Sequence, residues 1–70
     1  MPFVNIRIVK EAIAADPAGK KAAITEGVVA AITKATGLSD ADVWVVFEEV
    51  LASDWYVGRT DVETIRSINK

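Results

Sequence analysis

The chain has 70 residues, 51% of them hydrophobic, and sets 8 lysines and arginines against 10 aspartates and glutamates for a formal charge of -2. With no cysteine and no histidine, disulfide staples are excluded and a conventional zinc site lacks its usual ligands, while the acidic balance, with only Lys20 and Lys21 adjacent, opposes a nucleic-acid surface. No stretch approaches the ~20 apolar residues of a membrane span and the first residues lack a signal-peptide pattern, so the expectation is one cytoplasmic domain over residues 1–70 that engages neither membrane nor nucleic acid.

Pro2, behind Met1, is the first informative residue. A proline nitrogen inside a peptide bond has no proton to give and no basic lone pair. Removal of Met1 by an aminopeptidase that tolerates a small second residue turns that nitrogen into a free secondary amine, a candidate base at the edge of a strand. Retention of Met1 masks it. The bland alternative is an accident of composition, since proline is common in average proteins.

Phe3 to Val9 alternates, with Val4, Ile6 and Ile8 on one side and Phe3, Asn5 and Arg7 on the other, and predicts a strand with one strongly apolar face. Lys10 to Ala15 is a connection. Asp16 is placed to cap a helix and Pro17 to occupy its first position, where the missing donor costs nothing. Ile24, Val28, Ala31, Ile32 and Ala35 then recur at spacings of three and four, giving one helical stripe through Thr36, and Gly37 ends the helix.

Ser39 to Asp42 reads as a capped turn in which Ser39 accepts from the Asp42 amide. Val43 to Val50 is nearly continuous in apolar residues until Glu48 and Glu49, as in a strand covered on both faces. Strand, helix and strand form a βαβ unit with parallel strands and a right-handed crossover. Ala52-Ser53-Asp54 is a turn, and Trp55 to Arg59 is a short strand or hairpin. Thr60-Asp61-Val62-Glu63 is a capping-box pattern opening a last helix over Asp61 to Ile68. The fold class is α+β. Two strands under one helix leave a sheet face and two edges uncovered, and so short a chain buries a small fraction of its surface. A homo-oligomer is therefore expected.

Met1-Pro2 leading into an apolar strand, a long helix, a second strand over Val43 to Glu49, and Trp55-Tyr56-Val57-Gly58 before a C-terminal segment together resemble the small-subunit members of the 4-oxalocrotonate tautomerase family, within the tautomerase superfamily. The likeness covers essentially the whole chain, and its specific part is the terminal proline combined with the aromatic-x-Val-Gly element. It implies a βαβ protomer that pairs into a dimer and then a hexamer, a trimer of dimers. It also implies that Pro2 removes a proton next to a carbonyl and returns it at another carbon, interconverting enol and keto forms of a small anionic or enolisable substrate without metal or organic cofactor. A hydratase, dehalogenase or decarboxylase of the same superfamily, and a non-catalytic oligomeric binding module on the same fold, are the alternatives.

The chain departs from that family where anionic substrates are commonly held. Lys10-Glu11-Ala12-Ile13-Ala14-Ala15 contains no arginine, and Trp44 stands where a second arginine is expected. Carboxylate recognition falls to other cations. Arg59, following Val57-Gly58, is either a carboxylate clamp or an interface salt bridge. Lys10 is either a cation near Pro2 or a solvated loop residue. Arg7 alternates away from Pro2, Val4 and Ile6 and is read as a structural pairing residue, and Arg66 as surface.

Trp55 aligns with the family's active-site aromatic or packs at an interface. Trp44 narrows the pocket or serves an interface, and Tyr56 donates to a developing enolate oxygen or simply packs. Glu48 and Glu49 alternate to opposite faces, so at most one can point into a given pocket, and both are read as structural.

Overall fold

The computed structural model describes residues 2–68. Met1, whose removal the reading of Pro2 requires, lies outside the described residues. Strand β1 (Phe3–Val9) leads through a single 3₁₀ turn at Lys10–Ile13 into helix α1 (Pro17–Thr36). A second 3₁₀ turn at Asp40–Asp42 precedes β2 (Trp44–Val50), which runs parallel to β1 with Phe3 opposite Trp44 and Val9 opposite Val50. A third turn at Ala52–Asp54 leads to the hairpin of β3 (Tyr56–Val57) and β4 (Thr60–Asp61), and then to helix α2 (Val62–Ile68). The expected βαβ unit is present, and the alternatives left for Trp55 to Arg59 resolve as a hairpin.

Local chemistry explains most boundaries. Asp16 accepts from the Gly19 amide at 3.2 Å and Pro17 opens α1. Gly37 closes that helix at φ 77, with its amide donating to the Thr33 carbonyl at 2.8 Å, a left-handed cap that costs glycine little. Gly58 has φ 62 and among the described residues no other residue type has positive φ, so the two-residue turn Gly58-Arg59 has the glycine-first pattern of a type II′ hairpin.

The Ser39 turn forms the expected capping box with Asp42, whose Oδ2 also accepts from the Ser39 amide at 3.3 Å and from the Ser39 hydroxyl at 3.1 Å. Two local expectations change. Thr60 is spent in the hairpin opposite Val57, so the cap of α2 passes to Asp61, whose carboxylate accepts from the Thr64 amide at 3.1 Å and the Thr64 hydroxyl at 2.7 Å. On α1, Ala31 and Ala35 are exposed, and the half-buried band runs through Ile24, Val28, Val29 and Ile32. An alanine brings little apolar surface to a contact, so the helix settles on the larger side chains.

The helix covers one face of the two-stranded sheet, where Val4, Ile6, Ile8, Val45 and Phe47 are half-buried. Lys21 crosses from the helix to Glu49 at 2.7 Å. The other face is bare: Phe3 is 61% and Trp44 56% exposed, and Val46 is exposed beside them. Buried hydrophobic residues among those described are only Ile13, Val43 and Ala52. A groove of about 940 Å³ also runs between α1 and β2, past Val29, Val43, Val45 and Phe47.

Gross dimensions agree with an incompletely covered protomer. Its accessible surface is 5035 Å², against about 4,250 Å² for a compact monomer of this mass. Its radius of gyration is 14.9 Å, against ~11 Å for a compact chain of this length.

Candidate active site

The residues singled out by sequence gather at the two ends of the β1–β2 pair. At the first end, half-buried Pro2 precedes β1, and its carbonyl accepts from the Trp44 amide at 3.0 Å. In a parallel pair this is one of the two hydrogen bonds that join Phe3 and Trp44 in register. Proline contributes no backbone donor, so the carbonyl is its only tie to the sheet backbone and its nitrogen stays outside the ladder. Phe3 and Trp44, cross-strand neighbours on the bare face, place two aromatic rings beside this end.

The second end is built around a cleft of about 450 Å³ lined by Arg7, Glu48, Val50, Asp54, Trp55 and Tyr56. Arg7 and Glu48 are opposite one another in the parallel register. Glu48 Oε1 accepts from Asn5 Nδ2 at 2.8 Å and lies 3.5 Å from Arg7 Nη2. The Asn5 hydrogen bond, then the Arg7 charge, hold the Glu48 carboxyl below its ordinary range.

Trp55 is held in place by its own segment. Glu11 Oε1 accepts from the Ala52 amide at 2.9 Å, Ala52 is 1% and Ile13 3% exposed, and the Trp55 carbonyl accepts from the Val62 amide at 2.7 Å. The Glu11 carboxyl is held below its ordinary range chiefly by the Ala52 amide. Lys10 is exposed at the start of the first 3₁₀ turn, and Arg59 is exposed in the hairpin turn with no ion pair to another described residue.

Pro2 and Trp44 thus stand at one end, with Lys10, Trp55 and Tyr56 at the other and Arg59 on the hairpin beyond. A seven-residue strand at ~3.3 Å per residue spans about 23 Å. One protomer therefore does not bring Pro2 together with the second group. Glu48 and Glu49 do take opposite faces, each with its own partner.

Two groups of side chains escaped the sequence reading. The Asn5–Arg7–Glu48 cluster was foreshadowed only by alternation along β1, and became visible once the strand register was fixed. The Glu11–Ala52 bond joins positions 41 residues apart and has no periodic signal. Among the described residues no group of three or more His, Cys, Asp or Glu is placed to hold a metal ion. No described helix is long and apolar enough to cross a membrane.

Comparison with known proteins agrees with this geometry. The family model described as "Tautomerase enzyme" matches residues 2–65, beginning at Pro2. The fold is similar to the crystal structure of DmpI from Helicobacter pylori, with a TM-score of 0.73 and 25% sequence identity over 94% of this chain and 97% of that one. No curated protein matches the chain. A parallel βαβ unit that opens on Pro2, under a family match spanning nearly its whole length, makes this chain a member of the tautomerase family, to which 4-oxalocrotonate tautomerase belongs.

Proposed function

We propose that the chain is a cofactor-independent tautomerase in which Pro2, freed by removal of Met1, is the general base for keto–enol isomerisation of a small 2-hydroxy-dienoate or 2-keto acid. The observation that carries this reading is Pro2 itself, where the family match opens and where a hydrogen bond to Trp44 sets the start of β1. The secondary amine takes the enol hydroxyl proton as the carbonyl forms. The resulting ammonium then delivers a proton to a carbon of the conjugated chain, so base and acid are one group and no atom is gained or lost.

Such a base works best with a pKa near the working pH. Burial and neighbouring cations both disfavour the ammonium form and move an amine in that direction. Phe3 and Trp44 supply apolar surroundings at this end. Trp55 forms a wall for the substrate and Tyr56 can donate to the developing oxyanion. A cation holds the carboxylate, for which the sequence offers Arg59 and Lys10.

Because these groups stand at the opposite end from Pro2, the site requires a second copy. In a two-fold pair each patch meets the same patch of its partner in reverse sense, which sets the Pro2 end of one protomer against the Trp55 end of the other. The bare face bearing Phe3, Trp44 and Val46 gives such copies apolar surface to bury, in keeping with a dimer that assembles further to a hexamer. The reading carries with it a cytoplasmic protein without nucleic-acid or membrane partners.

Intact mass establishes whether Met1 is gone. Processed protein should then ketonise phenylenolpyruvate, and Pro2→Ala should slow it by at least about 100-fold. Equal rates in the two proteins reject Pro2 as the base. The engagement of Glu48 by Asn5 and of Glu49 by Lys21 favours isomerisation over hydration, since neither carboxylate is free to activate water. Trp44, in place of a family arginine, is the observation that favours a non-catalytic binding module. Treatment with 3-bromopropiolate separates the two: labelling of Pro2 ahead of the lysines supports catalysis, and labelling of lysines alone supports the binding module.

A further inference from the structure

We infer that the cleft at the second end of the strands is a binding site for a monocarboxylate, in which Arg7, rather than Arg59 or Lys10, anchors the carboxylate against Trp55 and Tyr56. That this ligand is the substrate rests on the tautomerase reading above. Arg7 is the only cation among the described residues that lines the cleft. Arg59 and Lys10 do not line it. The cleft, at about 450 Å³, falls within the range of small-molecule sites.

Arg7 is directed but not consumed. Its contact with Glu48 is a single Nη2 approach at 3.5 Å, while Glu48 makes its shorter bond, 2.8 Å, to Asn5. The rest of the guanidinium fork has no hydrogen-bond partner among the described residues, which suits two parallel bonds to a ligand carboxylate. Asn5 and Glu48 therefore act as positioning residues for that fork.

Charge limits the ligand to one carboxylate. The cleft sets the single positive Arg7 against Glu48 and Asp54, so one ligand carboxylate satisfies the cation and a second meets two like charges at close range. Trp55 and Tyr56 offer aromatic surface for the rest of the molecule. An aryl or unsaturated mono-acid fits this arrangement and a dicarboxylate does not.

The test compares phenylenolpyruvate, with one carboxylate, and 2-hydroxymuconate, with two, on the processed wild-type protein, Arg7→Gln, Arg7→Lys and Asp54→Asn. The wild type should prefer the mono-acid in kcat/KM. Arg7→Gln should raise its KM at least about tenfold with kcat little changed, since a charge-assisted fork is lost. Arg7→Lys should recover part of the loss, and Asp54→Asn should narrow the preference. An unchanged KM in both Arg7 variants, or a preference for the dicarboxylate in the wild type, overturns the assignment.

Binding is read separately from turnover by titrating the wild type with phenylpyruvate and following the Arg7 Nε–H and Trp55 Nε1–H resonances. Shifts in both support the site even if nothing is turned over, in which case the tautomerase reading fails alone. Saturating phenylpyruvate without a shift in either overturns the site while leaving a Pro2-dependent activity standing.

Discussion

The two ends of the β1–β2 pair are made from the same two strands, yet one is finished within the protomer and the other is not. At the Trp55 end, Ile13 and Ala52 are buried, Glu11 holds the Ala52 amide, and α2 returns a hydrogen bond to Trp55. At the Pro2 end, Val43 is the buried residue, Pro2 is tied by one backbone hydrogen bond, and Phe3 and Trp44 stand exposed. The difference teaches how a chain of this size can build an active site. It spends its small interior on rigidifying the Trp55 end, and under the proposed function leaves the Pro2 end to be sheltered by another copy.

The largest expected effect tests whether the ends work across subunits. Pro2→Ala and Trp55→Ala proteins, each impaired alone, should on co-refolding recover about a quarter of wild-type activity, because half the pairs are mixed and each mixed pair of a two-fold dimer has one intact site. Activity no greater than the sum of the separate variants would break the comparison. Stability sharpens it next. Ile13→Ala should cost ~2–5 kcal/mol in urea unfolding by emptying the finished end, whereas Phe3→Ala should leave the protomer's stability within ~0.5 kcal/mol and weaken association, seen as a midpoint that depends more strongly on protein concentration.

A smaller effect is expected at Gly58. Nothing lies within 4 Å of a Cβ built there, so Gly58→Ala pays only for its φ of 62, about 1 kcal/mol, and should loosen the hairpin without altering β1–β2 pairing. The smallest is a pH effect. Glu11 has a lowered folded pKa, so its contribution is present above the ordinary glutamate value of ~4.3 and is lost as the pH falls through the lowered value. Acid should lower the protection of the Ala52 amide relative to its intrinsic exchange rate over that window, and Glu11→Gln should flatten the dependence; an identical profile in the variant would remove Glu11 as the clamp.

Much of this protein was legible in its sequence because the signals are local. The alternation of Val4, Ile6 and Ile8, the Asp16-Pro17 start and the Gly37 stop of α1 each depend on neighbouring residues, and they led to the βαβ order without knowledge of long-range contacts. The C-terminal segment was harder. Thr60 and Asp61 satisfy both a strand and a cap pattern, and the choice between them turned on the pairing of Thr60 with Val57.

The sequence by itself determined the element order, the parallel strand pair, the family likeness and Pro2 as the residue of interest, because periodicity, caps and a terminal motif act over a few positions at a time. Only the tertiary structure decided that Arg7 and Glu48 face one another, that Glu11 reaches Ala52, and that Pro2 and Trp55 occupy opposite ends. Those facts follow from strand register and from contacts between residues tens of positions apart, for which no local pattern exists. The register sets Arg7 opposite Glu48, in the cleft that Trp55 also lines, and leaves Pro2 the length of a strand away.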